Sequence, residues 1–425
     1  MTMKNPITGW PDAAPPGTNR LPTTIPNVAH MLLHEGITVR YNTVKKDLEI
    51  TIPGEAGTPD NAANVRMSRI FSRGTKHGLS TRHLAEFVQA IGDDNAYNPV
   101  ADWIASKPWD GRDRLPDILA TVTTAEDYPP SLKETLVTKW LLSAAAAALP
   151  GDTFKARGVL VLQGRQGIGK TSWIKRLVSD DALRNEVVRL DHHMDWSNKD
   201  SLLGAVNNWI VELGELEGTL RRELPPLKSF VTADVDKVRR PYERRESVYP
   251  RRTVFAATVN DASFLIDPTG NSRWWTIAVE GLDYLHDIDT QQLFAQLAGR
   301  VREGATWWLT RDEDAALDAW NARHRAASAI GEQVAEAIDP SQPPVHMTAS
   351  EVLRCIGYKQ PTNAQAKECG TALRELYGEP KKRDGGIMKW PVQLRQPPAD
   401  TWVKPETKSL YDEAGLPKPP PGDKF

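Results

Sequence analysis

The chain has 425 residues, a net charge of −2 and two cysteines. Its 40% hydrophobic and 25% charged residues exclude a wholly disordered, collagenous or disulfide-stapled protein. The near-neutral balance excludes a uniformly basic coat and leaves room for a local basic patch. Length predicts about two to four domains. Fourteen tryptophans argue for anchored apolar surface. Cys355 and Cys369 fit no zinc spacing, and no histidine cluster accompanies them. They read as ordinary thiols of a reducing compartment. No apolar signal segment follows Met1, and the apolar stretch from Leu141 to Leu149 is too short to span a bilayer. A soluble protein without membrane contact is expected.

Residues 1–26 are rich in Pro, Gly, Thr and Asn and read as a flexible leader. Residues 27–108 read as a small α-rich domain: a helix around Val28–Leu33, a hairpin over Ile37–Ile52, and helical spacing through Leu84, Phe87, Val88 and Ile91. Pro108–Pro116 is a turn-rich hinge. Ser131 and Glu134 have capping-box spacing and open a helix with Leu132, Leu136, Trp140 and Leu141 on its apolar face, ending near Pro150-Gly151. From Val159 to Val279 apolar runs alternate with loops and helical stretches, which predicts an α/β domain with a largely parallel sheet. Leu293–His324 reads as helix. Residues 326–344 read as a linker, 345–394 as a second small unit, and 395–425 as a proline-rich tail.

Val159–Leu162 has strand length and is followed by Gly164-Arg165-Gln166-Gly167-Ile168-Gly169-Lys170-Thr171. Trp173, Ile174, Leu177 and Val178 then show helical spacing. Strand, G-x-x-x-x-G-K-T and helix together form the context of a phosphate-binding loop. Glycines let the backbone turn its N–H groups towards phosphate oxygens, and the following helix offers its positive end. Lys170 supplies charge to the phosphates and Thr171 a ligand for Mg²⁺. ATP and Mg²⁺ are therefore expected.

Asn208–Glu215 is a second apolar strand ending in acids. Glu212 and Glu215 are candidates to hold Mg²⁺ and position an attacking water, with Glu217 a third; a solvated acidic loop is the plainer reading. Thr253–Asn260 is a third apolar strand. Asn260 at its tip suits a γ-phosphate sensor, because an amide carries both donors and an acceptor, or an Asx turn. Arg273 precedes the aromatic pair Trp274-Trp275. It suits an arginine finger reaching a neighbour's γ-phosphate, or an arginine stacked on tryptophan. Between Arg221 and Arg252 lie ten Lys/Arg against five Asp/Glu. Lys228, Lys237, Arg239 and Arg240, with Tyr242 as a stacking aromatic, suit DNA; a solvated charged loop fits the same composition.

Together these residues resemble the virulence-associated protein E family of phage and mobile-element proteins related to superfamily 3 helicases. The resemblance runs from about Asn27 to the Ala326 region. It is carried by Trp109-Asp110-Gly111, Gly164–Thr171, Glu212–Glu217, Arg251–Phe255, Thr258-Val259-Asn260 and Thr269-Gly270-Asn271. It implies an α/β P-loop NTPase core of the AAA+ and superfamily 3 type over residues 109–325, assembled as a ring, usually a hexamer. In that frame Gly164–Thr171 is the Walker A loop, Glu212 and Glu215 are the Walker B acids, and Asn260 is the sensor. Arg273 is the finger, and Lys228–Tyr242 contacts DNA in the ring channel. Two departures stand out. Ser272 precedes Arg273 where the family often has a second arginine, and Leu213-Gly214 separates the Walker B acids. The stretch before Trp109 is too short for the primase-polymerase domain of many relatives, so a separate primase or other replication protein is an expected partner. Localisation is expected in a bacterial host's cytoplasm.

In the last unit, Thr348–Leu353 starts a helix and Asn363–Leu376 forms another, with Cys369, Leu373 and Leu376 on one face. Lys381, Lys382 and Arg383, then a Gly385-Gly386 hairpin, complete a winged-helix-like pattern that suits DNA or a protein partner. The leading expectation is an ATP-dependent DNA helicase or translocase for phage or mobile-element replication. An initiator or loader ATPase without processive unwinding, and a small-molecule P-loop kinase or nucleotide switch, are the alternatives.

Overall fold

A computed structural model describes residues 7–18, 20–55, 62–151, 154–195, 198–214, 227, 229–238, 247–260, 271–322, 329–382 and 388–395. The chain divides into two compact units, Met1–Ala326 and Ala327–Phe425.

The first unit begins with helix α1 (Ile25–Glu35). The Thr24 side chain caps it, and left-handed Gly36 ends it. Strands β1 (Thr38–Asn42) and β2 (Asp47–Thr51) form the expected hairpin. Helices α2 (Ala62–Lys76) and α3 (Leu84–Asp94) close a small core around Val28, Met31, Val39, Ile70 and Val88. The stretch read as a leader is partly built into this core. Ile7 is buried, and Asp12 N–H donates to Asn27 Oδ1 at 2.9 Å. Composition marked these residues as loose because their partners are side chains of α1, far along the chain.

Helix α4 (Pro99–Ala105), α5 (Leu115–Ala120) and strand β3 (Val122–Thr124) lead to α6 (Pro130–Ala148). Pro129 is the N-cap of α6, with no side-chain capping bond. Ser131 therefore lies inside the first turn, and the expected capping box does not form. Proline fixes φ and suits the first helical position, so Pro129-Pro130 starts the helix two residues before a Ser131 cap would. The helix is buried on nearly all sides. Trp140 Nε1 donates to Phe255 O at 2.7 Å, and Trp209 Nε1 donates to Ala144 O at 2.9 Å.

Strand β4 (Val159–Gln163) leads through a glycine loop to α7 (Lys170–Arg176). Then follow α8 (Asp181–Val187), β5 (Val188–His192), α9 (Lys199–Val206) and β6 (Ile210–Leu213). A hairpin of β7 (Val235–Val238) and β8 (Ser247–Pro250) precedes β9 (Val254–Val259) and β10 (Trp274–Leu282). The central sheet has the order β3-β10-β4-β9-β6-β5. The five strands from β10 to β5 are parallel and β3 is antiparallel. Leu160 and Leu162 of β4 enter the core shared with α6; Val159 and Val161 enter the core on the opposite face. Both faces are covered, which is why these strands read as unbroken apolar runs.

Leu293–His324 read as one helix, but the described part forms two: α10 (Thr290–Arg302) and α11 (Arg311–Asn321). Left-handed Gly304 ends the first, and a Thr310/Glu313 capping box starts the second. Helix α10 buries Gln291, Gln292 and Gln296. Gln291 Nε2 donates to the carbonyls of Ile104 and Lys107. Gln292 donates to Pro108 O and accepts from Asp110 N–H, and Gln296 accepts from Arg114 N–H. These amides fasten the Trp109-Asp110-Gly111 turn to the helix.

The second unit has its own core around Val334, Val352, Leu353, Cys369, Leu373 and Val392. Part of the sequence read as linker is helix α12 (Ala329–Ala337), with Ile330 and Val334 buried. Helices α13 (Ala349–Cys355) and α14 (Asn363–Tyr377) start at capping boxes on Thr348 and Thr362. Strands β11 (Val345–Met347), β12 (Lys381–Lys382) and β13 (Met388–Val392) form an antiparallel sheet with β13 central. Cys369 and Leu373 face this core as expected, whereas Leu376 is half-exposed. No described helix is long and apolar enough to cross a membrane.

Candidate functional site

Parallel strands place their C-terminal ends along one sheet edge. Strand β9 lies between β4 and β6, pairing Leu162 with Thr258 and Glu212 with Ala256. The glycine loop after β4, the acid on β6 and the tip of β9 are thereby brought together.

Within the loop Gly167 and Gly169 have φ of 85° and 91°, a region that L side chains adopt only with strain. Space matters as well at Gly169. A Cβ there would lie 2.2 Å from the Tyr284 ring. Lys170 follows at the first turn of α7 and is buried. Its Nζ donates to Gly164 O (2.6 Å), Arg165 O (2.9 Å) and Asn260 Oδ1 (2.8 Å).

Glu212 is 2% exposed. Its Oε1 accepts from Thr171 Oγ1 at 2.7 Å and from Thr258 Oγ1 at 2.9 Å. Its Oε2 is buried without a hydrogen-bond partner. Desolvation pushes the Glu212 carboxyl above the ordinary carboxylate range, against the two threonine hydroxyls, with the Asp191 charge adding to the rise. Asp191 sits at a left-handed φ of 51° at the end of β5. Its carboxylate occupies the space that a side chain at Gly214 would need.

Sequence reasoning placed Lys170, Thr171, Glu212 and Asn260 in one site, and these four converge. Thr258 and Asp191 were not given roles. Thr258 could have been found from strand alternation, since it lies two residues before Asn260 and so shares its face. Asp191 carries no such local signal. Arg273 lies elsewhere, in the short turn Asn271–Arg273 just before β10. Trp274 pairs with Val159, so Arg273 is at the opposite edge of the sheet from Lys170. Its Nε is buried without a hydrogen-bond partner.

Glu215, Glu217, Lys228, Arg239, Arg240, Tyr242 and Arg383 lie outside the described residues. Lys237 is on β7, opposite Val248. The hairpin is anchored at its base by Arg251, whose Nε donates to both Asp236 oxygens at 2.9 and 3.0 Å. Lys381 and Lys382 are exposed on β12. Among the described residues no group of three or more His, Cys, Asp and Glu could hold a metal ion by itself.

The fold and this edge define a mixed α/β protein. Its central sheet gathers a glycine loop, a lysine, a buried acid and an amide at the ends of parallel strands. The virulence-associated protein E-like domain matches residues 104–326, just over half of the chain, and the chain belongs to that family. Solved structures of the NrS-1 C-terminal region are similar at low identity. One, the apo structure of residues 305–718, is 12% identical with a TM-score of 0.36, covering 87% of this chain and 98% of that one. An A-form apo structure is 14% identical with a TM-score of 0.38, covering 87% and 99%. No curated protein matches the chain.

Proposed function

We propose that the protein is a P-loop ATPase of the superfamily 3 type, acting on DNA in the replication of a phage or mobile element. The observation that carries this reading is the convergence of Lys170, Thr171, Glu212 and Asn260 from three adjacent parallel strands. A kinase or switch reading leaves the basic segment Arg221–Arg252 and the exposed lysines of the second unit without a use.

In this reading the backbone of Gly164–Thr171 cradles the phosphates, and Lys170 neutralises their charge. Hard oxygen donors suit Mg²⁺. Thr171 Oγ1 and the unpartnered Glu212 Oε2 fit it, and they would hold it beside the phosphates. Mg²⁺ would supply charge neutralisation at the phosphate oxygens. Asn260, already on the Lys170 ammonium, orients the attacking water, and Glu215 is a second acid for that water. Arg273, at the far sheet edge from its own Lys170, serves a neighbouring subunit in a closed ring, usually a hexamer. Lys228, Lys237, Arg239, Arg240 and Tyr242 contact DNA in the channel. The second unit is a winged-helix-like DNA-binding element using Lys381, Lys382 and Arg383. A separate primase is the expected replication partner.

The test is ATP hydrolysis by the purified protein with and without single-stranded DNA, beside Lys170→Ala. DNA-stimulated hydrolysis abolished by the variant supports the reading. Hydrolysis indifferent to DNA overturns the DNA motor and favours the kinase or switch.

A further inference from the structure

Strand β1 has its hairpin partner β2 on one side. On the other side Tyr97 N–H donates to Tyr41 O at 2.9 Å, and Thr43 N–H donates to Tyr97 O at 3.0 Å. Backbone groups alternate in direction along a strand, so Val39 N–H and C=O point to the same side as those of Tyr41. The Tyr97 bridge covers only the Asn42 end. The edge before it, over residues 37–40, lines a cavity of about 610 Å³. Leu32 and Leu33 of α1 and Ile91 of α3 form apolar walls, and Ala96 lines it next to Tyr97.

An open strand edge is a template for another strand, and folds usually blunt it with proline, bulges or charge. Strand β1 has no proline and pairs with β2 without a register shift. Its one charged side chain, Arg40, lies over the Tyr97 ring at 3.6 Å. Leu33 on the rim is 80% exposed. Val39 faces α3, since a Cβ at Gly92 would lie 3.2 Å from Val39 Cγ1. Side chains of an added strand alternate in the same way. Those on the Val39 face meet Leu32 and Ile91, and those on the Thr38 and Arg40 face meet water.

Charge narrows the choice of occupant. Helix α3 ends in Asp93 and Asp94, both exposed, and has no basic residue in its last turn. Acids there meet the negative end of the helix dipole, where cations are favoured. Asp94 lines the cavity, so a cation on the occupant would complement the acid and the helix end together. We propose that this edge docks an extended segment of a partner protein. The segment adds as a strand beside β1 with main-chain hydrogen bonds to Val39. It sets alternate apolar side chains against Leu32 and Ile91 and a lysine or arginine beside Asp94. The edge lies outside the family-matched residues 104–326, and nothing in its docking depends on bound nucleotide.

The experiment measures fluorescence anisotropy of labelled peptides with the full chain and no nucleotide. The probe is a pool of end-blocked Lys-Thr-x-Thr-x-Thr-Lys peptides, x being Val, Ile or Leu, beside the same pool with Glu for Lys. The wild type should prefer the Lys pool by about fivefold, the upper scale of one exposed ion pair. Asp94→Lys, at an exposed position, should reverse that preference, which a lost fold cannot do. N-methylation of one alternate set of residues should abolish binding, and methylation of the other set should be tolerated, because only one edge of the peptide faces β1. Ala29→Trp, which fills the cavity, should weaken both pools. The docking assignment is overturned if neither pool binds the wild type, if Asp94→Lys leaves the preference unchanged, or if both methylated forms bind alike. If both pools fail and Ala29→Trp changes the sedimentation of the protein, a second copy fills the groove instead of a partner.

Discussion

Lys170 Nζ and Asn260 Oδ1 are 2.8 Å apart although ninety residues separate them in the chain. The contact exists because β9, whose last residue Val259 precedes Asn260, runs parallel to and directly beside β4, which leads into the glycine loop. In the proposed ATPase this pairs the phosphate-binding charge with the group that orients water. Asn260→Ala should leave ATP binding within about fivefold. It should slow single-turnover hydrolysis by about 10²–10³, as loss of one preorganised polar group does. Equal losses in both would refute a role confined to the reaction step.

Glu212 gives a pH-dependent prediction. Its carboxyl is raised above the ordinary value of 4.5 by burial, so the folded state holds that proton to higher pH than the unfolded state. The group therefore costs stability as pH rises through its folded pKa, and that cost disappears below 4.5. Glu212→Gln keeps an Oε1 acceptor for Thr171 and Thr258 but removes the charge. At neutral pH its unfolding midpoint should equal or exceed the wild-type value, and the difference should shrink on acidification. Hydrolysis should fall by about 10²–10⁴. A lower midpoint at pH 7 would show that the charge is held by favourable partners instead.

Gly169→Ala places a Cβ at a left-handed φ and against Tyr284. The backbone term alone should cost about 1–2 kcal/mol, read by urea unfolding, and ATP affinity should fall. Adding Tyr284→Ala should recover the steric part and leave the backbone part. Full recovery would mean that the conformation itself costs nothing.

Arg251 and Asp236 are both nearly inaccessible, and Arg251 lies over Phe230. Asp236→Ala should destabilise by about 3–5 kcal/mol, because it strands a buried guanidinium. The double variant Asp236→Leu/Arg251→Met should be much less damaged. If the hairpin binds DNA, the single variant should also weaken DNA binding at temperatures where the rest of the unit is folded. Thermal unfolding followed by DNA titration measures both.

Lys381→Ala/Lys382→Ala removes two exposed charges from β12. If the second unit contacts DNA backbone, affinity should fall at low salt, and the slope of log K against log salt should lose about two phosphate contacts. An unchanged slope would point to a protein partner for this unit.

The legible parts of the sequence were the local ones. Gly164–Thr171 reads as a loop between strand and helix because every determinant is contiguous. Thr348/Glu351 reads as a helix start for the same reason. Ser131/Glu134 has the same spacing but fails, because Pro129-Pro130 starts the helix first. Helix α12 was missed because only Ile330 and Val334 mark its buried face in a short stretch of small and acidic residues. At the site, residue type proposed Glu212 and Asn260, but their meeting with Thr171 and Lys170 depends on strand order. The open edge of β1 is bounded by Leu33 on one side and Ile91 and Tyr97 on the other. No short window contains all three.

The three glutamines of α10 act as a key more than as glue. Neutral amide hydrogen bonds add little net stability over their hydration in the unfolded chain. A slip of one helical turn, however, would strand several buried donors and acceptors at about 1–3 kcal/mol each. The turn at Trp109–Arg114 can thus seat in one position only. That turn also supplies Arg112 and Arg114 to a cavity of about 530 Å³ whose other wall is residues 283–289. A row of amides with no direct part in the proposed chemistry thereby sets the dimensions of the neighbouring cavity. Gln296→Leu, apolar and close in size, would be expected to blur those dimensions before it unfolds anything.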